Sequence, residues 1–342
     1  MPPTLKDIAS RANVSPALVS MYLNKNPKSR MSAETRQRID AAIREMNYHP
    51  SALARSLRSG KSMTIGYAVG NIIETVYGFR TQTLLLAAHK YGYQLLISPV
   101  PFYDQEQELD CLSNLLNSRP AGILYNLYLK PDEEMARRLV NYPILQLDST
   151  HPDYCSIQYE LTSSFKSVAG LLVNKGVRKL GVAIGDRENR WYLPVATISR
   201  DCGLECVFIP DSVARNPEKL WETLLSSGAE FFFSYASVIV YNLLRYCELH
   251  GILEPLPSIY SYTLPTDYIA HPSIKGVIVN PFREFTNVSM EMMVHMINHP
   301  GYAIEHRQLA TQFLDATALA GYYREQMEDP YYESLFVSHC AL

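Results

Sequence analysis

The 342-residue chain lacks the patterns typical of membrane-spanning, secreted or metal-binding proteins. No apolar run approaches the roughly 18 residues that a membrane span needs, and Met1-Pro2-Pro3-Thr4 leads straight into a polar helical pattern rather than a signal peptide. Cys202 and Cys206 are spaced so that a helix would bring them together, but two ligands make a poor metal site. We expect a cytoplasmic protein without a metal or a cofactor. Its scattered cysteines, which we expect to be reduced, are Cys111, Cys155, Cys202, Cys206, Cys247 and Cys340.

Common catalytic motifs are also lacking. The sequence has no Gly-x-Ser-x-Gly, no P-loop, no Gly-x-Gly-x-x-Gly and no zinc-ligand spacing. These absences argue against an enzyme, and turnover on a candidate substrate would reopen that reading. We therefore expect a protein that binds rather than one that catalyses.

Charge is spread unevenly, although the formal net charge is only −3. Residues 1–61 contain eleven Lys/Arg and four Asp/Glu, whereas the remaining residues contain twenty and thirty. A small basic head on an acidic body favours a polyanionic partner for the head. A basic patch alone is weak evidence, because many solvated surfaces are basic. The length suggests two or three domains.

The basic head has the pattern of three short helices. Thr4 is a good N-cap for the first helix, Ser15 followed by Pro16 begins the second, and Ser32 caps the third. In the third helix, apolar residues recur at helical spacing from Ile39 to Met46. Two helices joined by a tight turn and closed by a third indicate a helix-turn-helix, although periodicity alone also fits any small helical bundle.

The identity of the residues distinguishes a helix-turn-helix from another small helical bundle. The head contains Thr-Leu-Lys-Asp-Ile-Ala from residue 4, Ala-Asn-Val-Ser from residue 12, and Asn-Tyr-His-Pro-Ser-Ala-Leu-Ala-Arg-Ser-Leu-Arg from residue 47. Over about sixty residues, this order and spacing resemble the head of the LacI/GalR family of transcription regulators, with two extra residues in the 24–31 loop. The resemblance implies a helix-turn-helix head over 1–49, a hinge helix and linker over 50–62, and a two-lobed effector-binding and dimerisation domain over 63–342.

The hinge segment is rich in good helix formers, but it is shorter than an isolated helix needs in water. Composition alone fits a plain linker. The resemblance implies instead a helix that forms on DNA, pairs with its twin and enters the minor groove. Leu57 would then wedge between base pairs, Ala54 would lie at the contact between the two hinge helices, and Arg58 would lie near the groove edge.

The second helix of the head is the expected reading element. By resemblance, Pro16, Ala17 and Met21 face the bases, and the last two offer only apolar contacts, such as with thymine methyl groups. We therefore expect a half-site read partly through DNA shape, within an inverted-repeat operator in double-stranded DNA that is bound by a homodimer with steep salt dependence. The other DNA-binding residues, chiefly phosphate-positioning groups, are expected to be Thr4, Ser15, Ser20, Asn24, Thr35 and Tyr48.

From residue 64 onwards, strand and helix patterns alternate, which predicts parallel sheets with helices on both faces. A body of this length divides naturally into two lobes, and ligands of such sheets bind at the carboxyl ends of the strands. We therefore expect an all-α head joined to a two-lobed α/β sensor of the periplasmic-binding-protein type. Helices are predicted over 77–91 and 105–117, and strands over 64–69, 94–98, 121–125, 144–148, 179–184, 206–209, 230–234, 258–261 and 276–279.

Several of the family's sugar-contact motifs are absent from the predicted cleft. Ala236-Ser237 stands where the family has Asn-Asp, and 260–263 lacks the usual acidic run. Buried sugar hydroxyls need such partners, so we expect a longer saccharide or another ring compound rather than an ordinary monosaccharide. Tyrosine is also a common packing residue, and Glu160 also fits a plain helix-start carboxylate. The expected effector contacts are Asn71, Tyr125, Glu160, Arg187, Arg190 and Tyr235.

The resemblance implies a two-state dimer in which an effector rotates the lobes and so biases folding of the hinge. Either an inducer or a corepressor fits this scheme. The alternative is a regulator with a degenerate pocket, controlled by a protein partner or by its own concentration. The 316–342 tail lacks leucine heptads, so we expect a dimer rather than a tetramer.

Overall fold

The chain divides into two compact units, residues 1–63 and residues 64–342. Asn24, Asn71 and hinge residues 50–61, with Ala54, Leu57 and Arg58, lie outside the residues that the structure describes. The computed structural model describes residues 3–23, 31–48, 62–70, 72, 75–100, 105–126, 133–149, 152–185, 187, 189–252, 257–262, 271–315, 317–319 and 321–322.

The described residues of the first unit form three helices, α1 (Leu5–Arg11), α2 (Pro16–Leu23) and α3 (Ala33–Glu45). Each begins at a hydroxyl cap, as predicted. The Thr4, Ser15 and Ser32 side chains accept hydrogen bonds from the backbone N–H of Asp7, Leu18 and Thr35, respectively. These caps satisfy backbone donors that have no partner within the helix.

The three helices enclose a small apolar core. Because helices of this length do not persist alone in water, their stability comes from this packing. The Tyr22 hydroxyl donates to Asp40 at 2.5 Å and joins α2 to α3, while Arg11 pairs with Glu45 at 2.7 Å. The buried core residues are Ile8, Ala9, Ala12, Val19, Ile39 and Ala42.

The second unit contains two six-stranded sheets, one in each lobe. The strands of lobe one run in the order β11-β5-β4-β3-β1-β2, and all of their pairings are parallel. Helices α4, α5, α6 and α12 pack on this sheet. Its elements are β1 (Thr64–Val69), α4 (Thr75–Lys90), β2 (Gln94–Pro99), α5 (Gln105–Asn117), β3 (Gly122–Asn126), α6 (Glu133–Leu139), β4 (Ile144–Leu147), β5 (Cys155–Glu160), α12 (Phe282–Asn298) and β11 (His306–Ala310).

In lobe two the strands run in the order β12-β10-β9-β8-β6-β7, and only the pairing of β12 with β10 is antiparallel. Apolar clusters lie on both faces of the sheet. The elements of lobe two are α7 (Thr162–Asn174), β6 (Lys179–Ala183), α8 (Tyr192–Asp201), β7 (Glu205–Phe208), α9 (Asp211–Ala214), α10 (Pro217–Ser227), β8 (Phe231–Ser234), α11 (Ser237–Leu249), β9 (Ser258–Tyr262), β10 (Ile274–Val279) and β12 (Gln312–Asp315).

The chain crosses between the lobes three times, after β5, between β10 and α12, and between β11 and β12. The first and third of these crossings are joined to each other by hydrogen bonds. The Thr311 N–H donates to the Glu160 carbonyl oxygen at 3.2 Å, and the Thr311 hydroxyl lies 2.8 Å from the same oxygen. The lobes are therefore linked by adjacent strands that bear hydrogen bonds rather than by one flexible tether.

The predicted α/β alternation is confirmed, with differences at particular elements. Strands β5, β11 and β12 were not predicted, and helix α4 begins two residues earlier than expected. Asp148 lies one residue beyond the end of β4 instead of within the strand. Cys202 caps the C-terminal end of α8 and Cys206 lies in β7, within the predicted 206–209 strand, so the two cysteines do not share a helix. Among the described helices, none is long and apolar enough to cross a membrane.

Candidate functional site

Helix α2 exposes the face that the sequence assigned to DNA reading. Val19 is fully buried, while Pro16, Ala17 and Met21 are exposed. Met21 is 36% exposed, although it is a large apolar side chain. The helix therefore holds its buried face against α1 and α3 and leaves three small or apolar side chains available to a partner.

The residues expected to position phosphates have varied surroundings. The Thr4 hydroxyl lies 2.7 Å from the Asp7 carboxylate, so a phosphate there would meet a negative charge. The Ser15 and Thr35 side chains lie in the first turns of α2 and α3, where backbone N–H groups favour anions. Ser20 is half-buried on α2, and Tyr48 packs against the head core.

A separate concentration of polar groups lies in the second unit, where the two lobes meet. Asn126 ends β3, Asp148 follows β4, Tyr262 ends β9 and Asn280 follows β10. All four therefore lie at the carboxyl ends of parallel strands, where open α/β sheets bind ligands. We define the interlobe cluster as Arg80, Asn126, Asp148, Gln158, Arg190, Tyr262 and Asn280.

Arg80, on α4, is the fully buried cation of this cluster. Its Nη1 donates to Asn126 Oδ1 at 2.8 Å, and its Nη2 lies 3.2 Å from Asp148 Oδ2. The guanidinium carbon also lies 4.9 Å from the ring centre of Phe285. Burial by itself would lower the pKa of Arg80, but Tyr159 and Asp148 outweigh it and raise that pKa, so the side chain remains charged.

Asp148 lies between the two arginines of the cluster. One carboxylate oxygen pairs with Arg80 and the other pairs closely with Arg190. Burial would raise the pKa of Asp148, but the charges of Arg190 and Arg80 hold it below its usual value. The residue adopts φ of 58°, a left-handed conformation that is uncommon for a side chain other than glycine and that recurs at functional sites.

Arg190 connects the lobes. It follows β6 in lobe two, yet its Nη1 donates to Gln158 of lobe one at 2.8 Å while its Nη2 pairs with Asp148. Its side chain keeps 34% of its surface exposed, and its guanidinium lies 4.6 Å from the Trp191 ring centre. Arg190 therefore forms a charged contact across the cleft that solvent still reaches.

Lobe two contributes buried polar groups without hydrogen bonds of normal geometry. Neither the Asn280 oxygen nor its nitrogen has such a partner, and Asn280 is 1% exposed. The nearby Tyr262 hydroxyl interacts with Asn280 in a geometry less regular than that of a normal hydrogen bond. Burial, followed by the Asp148 charge, raises the pKa of Tyr262 well above its usual value. Tyr262 and Asn280 therefore form a buried polar pair at the carboxyl ends of β9 and β10.

Among the expected effector contacts that the structure describes, Arg190 lies in this cluster and the others do not. Tyr125 donates to Glu108 on α5 at 2.5 Å, within the lobe-one core. The Glu160 carboxylate accepts from the first turn of α7, with Thr162 N–H at 2.5 Å, so it acts there as a helix cap. Tyr235 packs between the two lobe-two cores, and Arg187 is exposed.

Sequence reasoning missed Arg80, Asp148 and Asn280. A signal for Arg80 exists, because it lies on the apolar stripe of α4, three residues after Tyr77 and four before Leu84, both of which are buried. A charged residue on a buried stripe needs a partner. No local spacing identifies that partner, since Asp148 is 68 residues away in the chain.

Comparison with known proteins places both units in one family. The model for bacterial regulatory proteins of the lacI family matches residues 4–51. Catabolite control protein A of Staphylococcus aureus is 30% identical over 234 residues, which cover 67% of each chain. The catabolite repressor/activator of Escherichia coli is 34% identical over 148 residues, covering 42% of this chain and 44% of that protein.

A lac repressor dimer, crystallised with operator and the anti-inducer ONPF, has the same fold. Its TM-score is 0.78 at 22% identity, covering 93% of this chain and 99% of that one. This chain belongs to the LacI family of bacterial regulatory proteins. It is a DNA-binding transcription regulator, and it is not an enzyme.

Proposed function

We propose that the protein binds a palindromic operator in double-stranded DNA as a homodimer and represses transcription from it. The observation that supports this most is the geometry of α2, which presents Pro16, Ala17 and Met21 outwards from a buried Val19. A helix held in this way enters the major groove in helix-turn-helix proteins. Ser15, Ser20, Asn24, Thr35, Tyr48 and Thr4 are proposed to position the DNA backbone.

Residues 50–62 are proposed as the hinge that follows the 1–49 head, with residues 63–342 as the sensor. Leu57 would open the central base step, while Ala54 and Arg58 would contact the twin hinge and the groove edge. A DNA-binding regulator works where the DNA is, which supports a cytoplasmic location for this chain. The lac repressor neighbour is a dimer on its operator, which supports a homodimer here.

The effector is proposed to bind between the lobes, at the interlobe cluster. Neighbours of the same fold were crystallised with cellobiose or with fructose 1-phosphate, so sugars and their derivatives are reasonable candidates. Among the effector contacts predicted from the sequence, Arg190 is the one that lies in the described cluster. Asn71 and Arg187 remain proposed contacts, whereas Tyr125, Glu160 and Tyr235 have the internal roles described above.

Selection of bound sequences from a random duplex library by the full-length protein tests the DNA-binding proposal. We expect an inverted repeat with a flexible pyrimidine–purine step at its centre, which a hinge can open. We also expect few positions that require guanine hydrogen bonds, since Ala17 and Met21 offer none. Enrichment of unrelated sequences, or of a single half-site, would contradict the palindrome and the homodimer.

A regulator with a degenerate sensor is the second candidate, because the family's acidic sugar contacts are missing at 236–237 and 260–263. Such a protein would bind the selected operator equally well with and without small molecules. A protein partner or protein concentration alone would then set occupancy of the operator.

A further inference from the structure

Helix α2 is anchored in the head by little buried surface of its own. Of its eight residues, Val19 is the buried one, while Tyr22 and Leu23 pack half-buried against the head core. Hydrophobic contact is non-directional, so one buried valine fixes the place of a short helix better than it fixes the rotation of that helix. The rotation of α2 about its own axis decides where its exposed side chains point.

The Tyr22 hydroxyl supplies a directional contact between α2 and α3. It donates to Asp40 Oδ1 at 2.5 Å, the short end of the range for such a bond. A hydrogen bond weakens steeply as its distance and angle depart from the optimum, so a rotation of α2 that moved this hydroxyl would lose the bond. The acceptor is itself well held, because Ile39, its neighbour on α3, is fully buried.

Two arginines flank the acceptor. Arg36 and Arg44 lie four residues before and after Asp40, about one helical turn away on either side. The hydrogen bond with Asp40, followed by burial, raises the pKa of Tyr22 above its usual value, although both arginines act in the opposite direction. The phenol therefore stays protonated and able to donate near neutral pH. The two guanidinium groups also offset the negative charge that Asp40 would otherwise present to DNA phosphates.

Tyr22 is coupled through the helix backbone to the face that is expected to read DNA. Met21 precedes it in the chain, and Ala17 lies about one turn before Met21 on the same exposed face. A rotation of α2 that displaces Tyr22 therefore turns both side chains away from their positions. Ala17 and Met21 offer only apolar contacts to bases, and such contacts lose much of their energy over a gap of about 1 Å.

We propose that Tyr22 and Asp40 are positioning residues for sequence recognition, because their hydrogen bond fixes the rotation of α2 and with it the direction of Ala17 and Met21. The inference rests on the DNA-reading role proposed above for α2. A bond that only stabilised the head would change the fraction of folded protein, and it would weaken binding to every DNA sequence by the same factor. A positioning bond changes the ratio of affinities between sequences.

That ratio is the readout of the experiment. Equilibrium affinities of the full-length wild-type and Tyr22→Phe proteins are measured for the selected operator and for duplexes with one base pair of each half-site changed. Tyr22→Phe removes the hydroxyl and keeps the ring, so we expect the discrimination within the half-sites to fall about fivefold, the equivalent of one net hydrogen bond. Discrimination at the central step, which the hinge is proposed to open, should not change.

Variants of α3 complete the test. Asp40→Ala should lower the discrimination as Tyr22→Phe does, and the double variant should lose no more than either alone, since both remove one bond. Asp40→Asn keeps an oxygen acceptor and should retain most of the discrimination. Glu34→Ala, at an exposed residue of the same helix, removes the same charge as Asp40→Ala and should leave the ratios unchanged.

Unchanged ratios in Tyr22→Phe and Asp40→Ala would overturn the proposal, even if both variants bound all DNA more weakly. Equal losses in Asp40→Asn and Asp40→Ala would also overturn it, because the bond would then not be what matters. Absence of any sequence preference in the wild-type protein would reject the proposed function itself. A preference that survives in Tyr22→Phe rejects the positioning role alone and leaves the DNA-binding function standing.

Discussion

The two units of the chain place their polar groups in opposite ways. In the head, the core is entirely apolar, from Ile8 to Ala42, and the helix caps and the DNA-reading face lie at the surface. In the sensor unit, a charged cluster lies between apolar cores, with Arg80 fully buried and paired to Asp148. With the sites proposed above, the head separates stability from recognition, whereas the sensor joins them in one set of side chains.

This difference has a consequence for substitutions. A change on the exposed face of α2 leaves the head core intact, so it alters binding more than folding. A change in the interlobe cluster alters both, because a buried charge that loses its partner destabilises the fold.

Ile39→Ala should have the largest effect on DNA binding. Ile39 is fully buried in the head, and truncating a buried isoleucine costs about 2–5 kcal/mol, which is most of the stability of a small domain. We expect the head to unfold and specific DNA binding to be lost, while the sensor unfolds at an unchanged temperature. Gln37→Ala, at an exposed residue of the same helix, is the control and should bind DNA normally.

Arg80→Met should lower the free energy of unfolding of the sensor by about 3 kcal/mol. The substitution removes the hydrogen bond that Arg80 donates to Asn126 and one of the two cations paired with Asp148. Denaturant unfolding of the full-length protein measures the change. Arg187→Met makes the same substitution at an exposed residue and should alter the free energy by less than about 0.5 kcal/mol. Equal effects of the two variants would show that the buried pair has no special role.

Asp148→Asn should lower stability in a pH-dependent way. The folded-state pKa of Asp148 lies below its usual value of 3.8, so its stabilising contribution is complete well above that value and is lost as pH falls through the folded pKa. The difference between wild type and Asp148→Asn should therefore be largest near neutral pH and should shrink below about pH 4. A difference that stays constant from pH 7 to pH 3 would contradict the ion-pair assignment.

Met21→Ala should have the smallest effect on stability, within about 0.5 kcal/mol, because Met21 lies on the exposed face of α2. Its effect should appear instead in the DNA sequences that the protein selects. We expect weaker preference for thymine at one position of each half-site, since an apolar contact with the methyl group is lost. Unchanged selection would mean that Met21 does not face a base.

The head was easier to predict from the sequence than the sensor unit, and the reason is physical. Caps and apolar spacing are local, so Thr4, Ser15 and Ser32 were sufficient to place the three head helices. The sensor's alternating strands were also predictable, but β5, β11 and β12 were not. Strand β11, for instance, pairs with β5 about 150 residues earlier in the chain.

Most residues of the interlobe cluster could not be identified from the sequence. Arg190 was identified through the family resemblance, but its partners Asp148 and Gln158 come from a different lobe. Tyr125 and Glu160 had the expected residue types near strand ends, yet one hydrogen-bonds within the lobe-one core and the other caps α7. Residue type and strand position do not specify side-chain direction, which the packing of the two lobes determines.

The central claim is that the interlobe cluster controls how the head binds DNA. Equilibrium affinity for the selected operator, measured for the wild-type, Arg190→Gln and Arg178→Gln proteins at one salt concentration, tests it most directly. Breaking the contact between the lobes at Arg190 should change the affinity about fivefold or more, in the range of typical coupling between sites, while Arg178→Gln, at an exposed residue of lobe two, should match wild type. Identical affinities for all three proteins would contradict the claim, because the cluster would then have no influence on DNA binding.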